Sequence, residues 1–290
     1  MTKKILVTFF IFLLSGMIIH AEETPQQFEG FDLVGYSEGN KKAWDIKGDT
    51  ADMIGSMIKL TNIVANAYGD EQMHLTAQRG NLDRVSGQMH LEDDVVITTE
   101  GGAKMTTDSL DWHRDKDLVK TKDDVVLTQE GMTATGTGVE GHPGLKTAQM
   151  EKDVTVTVNT EPKGAGRTIT ITCDGPLEIE YESQKAVFNN NVVAIDAGRK
   201  LMADKIELFF DNVSRQIKEM ICTGNVSIIQ GENTTYSEKA IYNAQQQKLT
   251  LVGQPKLILF TEGEGFGDML GGEGTKDILP GQESDVSSGN

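Results

Sequence analysis

The chain has 290 residues, and 27 Lys+Arg against 44 Asp+Glu give it a formal charge of −17. That length accommodates one large or two ordinary domains with a sizeable core, and the charge is too dilute along the chain to force disorder. An acidic balance argues against a nucleic-acid binder, because neutralising phosphates needs a basic face. Five scattered histidines and two distant cysteines leave little material for a metal cluster, and no motif calls for a cofactor. The composition describes a folded, acidic, non-enzymatic protein.

The N-terminus reads Met1-Thr-Lys-Lys, then an almost wholly apolar run from Ile5 to Ile19, then His20-Ala21-Glu22-Glu23. A basic start, a short apolar run and a small residue before a polar stretch describe a secretory signal over 1–21, cleaved after Ala21. The alternative is a retained anchor, although a spanning helix needs about 20 apolar residues and this run is shorter. Both readings put the rest of the chain outside the cytoplasm. There Cys173 and Cys222 meet an oxidising environment, so they form either a disulfide or two small core residues.

From residue 22 to 42 an extended lead-in carries Phe28, Phe31, Leu33 and Tyr36. Beyond it a repeat of about thirty residues begins. Its first element is Asp or Asn followed by a valine-rich strand, at Asp94-Val-Val-Ile, Asp124-Val-Val-Leu, Asp153-Val-Thr-Val, Asn191-Val-Val-Ala and Asn225-Val-Ser-Ile. Gln254-Pro-Lys-Leu is a degenerate sixth copy, and the steps are 30, 29, 38, 34 and 29 residues. A second element is a small residue, an acid, a spacer and an apolar residue. It reads Thr107-Asp-Ser-Leu-Asp-Trp112, Ala203-Asp-Lys-Ile-Glu-Leu208 and Ser237-Glu-Lys-Ala-Ile-Tyr242, with a weaker version around Cys173-Asp-Gly-Pro-Leu177.

Between these elements each repeat holds three or four short period-two segments rich in Val, Ile and Thr, such as Thr168–Thr172 and Val154–Val158. That alternation specifies strands, and Gly, Asn and Asp between them specify turns. The nearest helical candidate, 53–66, has the β-branched positions that a strand also wants. A thirty-residue unit cannot bury its apolar face alone, so successive units stack. Alternation predicts an inward set of Val95, Ile97, Val125, Leu127, Val154, Val156, Val192, Ala194, Val226 and Ile228. This wall lines either an ordinary closed core or an open groove. From Thr261 the pattern dissolves into Gly, acids and Ser, which reads as a disordered tail over 261–290.

These residues carry a resemblance. Gly35-Tyr36, Trp44-Asp-Ile-Lys-Gly, Leu75-Thr-Ala-Gln-Arg-Gly-Asn-Leu-Asp83, Thr107-Asp-Ser-Leu-Asp-Trp and Gly131-Met-Thr-Ala-Thr-Gly-Thr-Gly-Val139 resemble the periplasmic LptC family of lipopolysaccharide export. Ala203-Asp-Lys-Ile-Glu-Leu, Thr223-Gly-Asn-Val and Ala240-Ile-Tyr-Asn resemble the OstA-like (LptA-type) repeat. The two resemblances cover about 210 of the 290 residues and divide the chain into 22–160 and 161–260. They imply an all-β, open antiparallel β-jellyroll whose apolar interior holds the acyl chains of lipopolysaccharide. They also imply partners, namely an inner-membrane ABC transporter and other β-jellyroll bridge proteins joined by edge strands. The chain departs from the family in its cleavable-looking N-terminus and in fusing the two segments.

Asp93-Asp94 and Asp123-Asp124 could be drawn as paired carboxylates for acid–base or Ca²⁺ chemistry, but their recurrence before each strand points to Asx turns. The Gly-rich run 263–274 lacks a following helix pattern for a phosphate loop, and His113 reads as a solvated strand end. Two rivals remain: a structural envelope protein with a closed core, and a β-helix carbohydrate-active enzyme or adhesin.

Overall fold

The computed structural model describes residues 26–37, 39–69, 72–142, 145–159, 168–212 and 216–260. The expected signal or anchor over 1–21, the Gly-rich run 263–274 and the expected tail over 261–290 lie outside the described residues. Of the described residues 79% are in strands, so the fold is all-β and jellyroll-like, as the alternation requires. The strands are β1 (Gln26–Tyr36), β2 (Lys42–Ile54), β3 (Met57–Tyr68), β4 (Gln72–Asp83), β5 (Gln88–Thr99) and β6 (Lys104–His113). After one 3₁₀ turn (Arg114–Lys116) come β7 (Leu118–Gln129), β8 (Met132–His142), β9 (Thr147–Asn159), β10 (Thr168–Cys173), β11 (Leu177–Glu180) and β12 (Lys185–Asp196). The series ends with β13 (Arg199–Phe210), β14 (Ile217–Gln230), β15 (Asn233–Asn243), β16 (Lys248–Val252) and β17 (Lys256–Ile258).

The helical candidate 53–66 falls in β2 and β3, and the lead-in is itself a strand, with Phe31 opposite Gly48 of β2. Strands pair antiparallel with their sequence neighbours, as in Leu60 opposite Gly80 and Leu208 opposite Met220. β10 and β11 both lie between β9 and β12, so they are one strand interrupted at Asp174-Gly175-Pro176. β16 and β17 likewise share β15, interrupted at Gly253-Gln254-Pro255. By packing the chain divides into two compact units, 1–123 and 124–290, with the division inside β7.

The short segments expected from the sequence are halves of long strands. Most strands run 10 to 14 residues, and each repeat holds two of them rather than three or four. The recurring Asp/Asn pair is also not a turn before a strand. In β5, Glu92 pairs with Ser109 and Val95 with Thr107, so Asp93 and Asp94 together face one residue of β6. Both are left-handed, with φ of 63° and 51°. Asn190 and Asn191 repeat this in β12, at 65° and 52°, opposite the single residue Asp204. Gly224 and Asn225 repeat it in β14 opposite Glu238. Each is a β-bulge in mid-strand, and Asp, Asn and Gly occupy it because other residues adopt left-handed backbone at a cost of about 1–2 kcal/mol.

The second sequence element is the other side of the same bulge. Asp204 lies on β13 beside Gly224-Asn225 of β14 and fills the space that a side chain at Gly224 would need. Asn225 Nδ2 donates to Asp204 Oδ2 at 2.9 Å. Asn191 Nδ2 donates to Asp174 Oδ2 at 2.5 Å, and Asn62 Nδ2 to Asp49 Oδ2 at 2.6 Å. Asp123 and Asp124 accept from Ser109 and Thr137 at 2.5 and 2.7 Å. The bulges and their acids form a crease that crosses the strands of each unit.

The crease makes a two-part prediction at one residue. Asn225→Gly keeps the left-handed backbone and loses only an exposed hydrogen bond, so it costs less than about 1 kcal/mol. Asn225→Ala loses both and costs about 1–2 kcal/mol. Urea unfolding of the two variants side by side measures the difference, and equal midpoints would refute the conformational account.

Candidate functional site

Crossing the crease changes which residues face inward. On bulged strands the inward residues stay four apart, as Leu91 and Val95, Phe188 and Val192, or Cys222 and Val226. On their unbulged partners the step is three, as Thr107 and Leu110 or Ala203 and Ile206. Each half-strand therefore contributes an inner residue beside the crease and an outer one beyond it. Cross-strand pairing links these into rows.

In unit 1 the inner rows close completely. Val95 and Leu91 are 0% exposed, and Leu60 and Ile63 are 1%. Residues from both sides of the crease share one cluster there, with Phe31, Ile46, Leu60, Met89, Leu91 and Leu110 among its members. The outer row beyond Val95 runs Leu33, Ile46, Ala65, Leu75, Ile97 and Met105 in register. Apart from Ile46, that row is only partly buried. In unit 2 the inner residues Val125, Val154, Val192 and Val226 are no more than 1% exposed. The outer row is closed at Ala134, Val156 and Ile171, and partly exposed at Ala194, Leu201 and Ile228. Leu127 is also partly exposed.

The ten residues expected to face inward thus divide into two tiers. Val95, Val125, Val154, Val192 and Val226 are closed core, with Val156 beside them. Ile97, Leu127, Ala194 and Ile228 keep some exposure. The sequence reading missed the wall on the far side of the crease in each unit, to which Leu91 and Leu110 belong in unit 1 and Leu177, Phe188, Ile206 and Cys222 in unit 2. Its signal is present, as an apolar residue four before the first inward valine of each copy but Val125, which has Thr121 there, and as Leu110, Ile206 and Ala240 three after the small residues of the second element.

The family-like motifs have local physical roles. The Trp44 indole lies against Gly35 of β1, directly opposite it, where any side chain would collide. Phe31 lies in the same way against Gly48. Asp45 is buried, at 1% exposure, and accepts from Tyr68 Oη at 2.7 Å and Asn66 Nδ2 at 2.9 Å. Its ion pair with Lys42 Nζ spans 2.6 Å, and Lys42 sits 5.1 Å from the Tyr68 ring centroid. Lys42 and these hydrogen bonds outweigh burial and hold the Asp45 carboxyl well below the usual range. Beside this network an open depression of about 260 Å³ is lined by Asn66, Tyr68, Met73, His74 and Thr99.

The disulfide considered for Cys173 and Cys222 is not formed. Both are free, buried thiols on β10 and β14, with β12 and β13 between them along the sheet. Burial pushes the Cys222 thiol up to about 12 and raises that of Cys173, so neither is a nucleophile at neutral pH. Among the described residues no cluster of His, Cys, Asp and Glu has the geometry to hold a metal. His113 ends β6 as expected, but it is half-buried rather than solvated.

A creased antiparallel sheet with an apolar interior defines an all-β, jellyroll-like protein. Among family models, residues 18–159 match the one described as Lipopolysaccharide-assembly, LptC-related. Residues 171–272 match the one described as LptA/(LptD N-terminal domain) LPS transport protein. The chain is thus an LptC-related region joined to an LptA-type region, as the resemblance implied, and it serves lipopolysaccharide transport in the periplasm or envelope. No curated protein matches it. Both families are of transport bridge proteins rather than enzymes. Among the described residues no helix is long and apolar enough to cross a membrane.

One polar cluster on the outer face of unit 1 surrounds a histidine. His90 places Nδ1 2.7 Å from Asp111 Oδ1 and Nε2 3.0 Å from Glu92 Oε1, while Arg79 pairs with Glu92 and Asp93 at 3.3 and 2.7 Å. Burial opposes protonation of His90, but the hydrogen bonds to Asp111 and Glu92 outweigh it and raise its pKa. A raised folded value means stability that is full below the unfolded pKa of about 6.5 and lost as pH rises through the folded one. His90→Gln should therefore destabilise most below about pH 6.5, and progressively less as pH rises through the raised folded pKa. Urea midpoints across that range test it, and a pH-independent deficit would refute it.

Proposed function

We propose that the interior of this protein carries the acyl chains of lipopolysaccharide, received from an inner-membrane ABC transporter and passed towards the outer membrane. The observation that supports this most is the two-tier interior. The inner rows pack closed and hold the fold, whereas much of the outer rows is only partly buried. Val95, Val125, Val154, Val192 and Val226 form the floor, with Val156 beside them. Ile97, Leu127, Ala194 and Ile228 are the acyl contacts. Burial of each methylene contributes about 0.8 kcal/mol, so several chains per lipid supply ample affinity. The described residues hold no nucleotide-binding loop, and the energy for directional movement comes from the transporter. Residues 22–160 act as the transporter-proximal part and 161–260 as an added length of bridge. The segment 1–21 is either removed or anchors the chain in the inner membrane.

The tiers separate this reading from a closed structural core. Val125→Asp buries an unpaired carboxylate in either case and costs several kcal/mol. Ile97→Asp and Ile228→Asp place the charge where water reaches it, so both variants should unfold cooperatively with little loss of stability. In cells they should lose most lipopolysaccharide photocrosslinking to neighbouring positions. Unchanged crosslinking in these folded variants would refute acyl binding, and loss of fold in both would favour the closed core.

Assembly is the second test. β1 and β17 stand at the two ends of the strand series, paired with β2 and β15, and strand edges are templates for a neighbour's strand. Photocrosslinkers near Trp44 and near Leu257 should capture bridge components or the transporter's periplasmic part. Capture of neither, in cells, would count against a bridge.

A further inference from the structure

The depression beside the Asp45 network lies at the margin of the interior of unit 1. Ala65, Leu75 and Ile97 stand opposite one another in the outer row. Ala67, Met73 and Thr99 form the next row on the same face, two residues further along each strand. They line the depression, an open space of about 260 Å³, together with Tyr68, Gln72, His74 and Glu100. Tyr68 and Met73 are 38% and 37% exposed, so an aromatic ring and a thioether border it. Thr99 Oγ1 is buried and has no hydrogen-bond partner among the described residues. Asn66 Oδ1 lies 2.9 Å from His74 Nδ1; an amide oxygen only accepts, so Nδ1 carries the proton and Nε2 of the neutral ring is an acceptor. Among the described residues that line the depression, Glu100 alone carries a fixed charge. Lys104 stands opposite Thr98 on β6 and Lys42 is held by Asp45, and neither lines the depression.

We propose that this depression is a subsite for an uncharged sugar ring of the lipopolysaccharide glycan, seated where the lipid leaves the acyl groove. The proposal rests on the acyl-carrying reading, which lays the chains along Ile97 and its row. Two residues of strand span about 7 Å, so a headgroup joined to those chains reaches the next row. A sugar ring has a C–H face and an edge of hydroxyls. The Tyr68 ring and the Met73 thioether suit the face, as apolar walls with a few polar groups suit small ligands generally. Gln72, Glu100, His74 and Thr99 supply both donors and acceptors for the hydroxyls, and a sugar hydroxyl gives Thr99 Oγ1 the partner it lacks. A volume of about 260 Å³ falls just below the roughly 300–1,000 Å³ of sites that enclose whole ligands, which suits one ring rather than an oligosaccharide. A phosphate would meet the Glu100 carboxylate and no lining Lys or Arg. An acyl chain would desolvate the amide and carboxylate without pairing them.

Saturation-transfer NMR tests this, on lipid-free protein expressed from its whole reading frame and titrated with the deacylated glycan of lipopolysaccharide. The glycan should bind saturably, and removal of its phosphates should leave the affinity unchanged. Gln72→Ala combined with Glu100→Ala changes two exposed side chains and should weaken binding at least about tenfold, the loss of two hydrogen bonds. Thr250→Ala, on β16 of unit 2, should leave it unchanged. The double variant should also keep lipopolysaccharide crosslinking along the outer row, which separates the subsite from the groove. The glycan carries no acyl chains, so its titration is read independently of the Ile97→Asp and Ile228→Asp crosslinking that tests the groove. Absence of saturable binding overturns the inference, as does equal affinity in the double variant and the parent. Displacement of the glycan by inorganic phosphate assigns the site to phosphate and overturns it too. So does tighter binding of peptidoglycan sugar fragments, which assigns the depression to the other glycan of the envelope.

Discussion

The structure depends on one backbone constraint: a long strand must turn a corner without giving up its ladder on either side. An uninterrupted strand of twelve residues points alternate side chains to two fixed faces, and it cannot line two walls of one interior. A bulge solves this by inserting one residue, which bends the strand and sharpens its twist. The inserted position needs left-handed backbone, and that selects Asp, Asn or Gly. The neighbouring strand then contributes an acid to cover the bulge, as Asp204 does at Gly224-Asn225. Chemistry that looks catalytic in the sequence, carboxylates in pairs at regular intervals, is what creases a sheet.

From the crease follows a division of labour inside. Side chains beside a corner are covered by both walls, and those further out by less. Leu91, Val95, Val192 and Ile206 at 0% exposure each supply roughly the full 1.5–3 kcal/mol of a buried aliphatic side chain. The outer residues supply part of that and retain apolar surface. A transport protein needs this separation, since a surface that holds the fold together cannot also open to cargo. Locks elsewhere keep the walls in register, with Trp44 against Gly35 and Phe31 against Gly48 fixing β1 to β2.

The two repeating elements were legible in the sequence as signals, but not as the two sides of one corner. Period-two alternation made the all-β fold readable, and the valine after each Asp or Asn was correctly placed inside. What failed was the reading of Asp and Asn as strand-starting turns, because turns and bulges use the same left-handed residues for the same reason. That error halved the strand length and hid the second wall, since alternation was never carried back across Asp93-Asp94 to Leu91 or across Asn190-Asn191 to Phe188. The cysteines illustrate a different limit. Composition and compartment permit a bridge, but only the strand order separates β10 from β14. Asp45 was visible only as part of a motif, because its burial is made by Tyr68 and Asn66 more than twenty residues away.

The placement of charge fits the cargo as well as the fold. A phosphorylated headgroup would be repelled by a protein of this acidity if the carboxylates lined its path. The acids in the bulges and those that cover them sit instead on the convex side of the crease, where Asp94, Asp124, Asp153, Asp204 and Glu238 are all exposed. The outer rows, where acyl chains would enter, lie on the concave side and at the far margins of each wall. Repulsion between exposed charges decays over about 8–10 Å at physiological salt, and each wall extends two inward positions from the crease, on the order of 13 Å of strand. The residues that bend the sheet are thereby kept at about a screening length from the place where an anionic headgroup would ride. One geometric device thus sets the fold, spares an apolar surface and keeps the acids of the crease itself away from the outer rows.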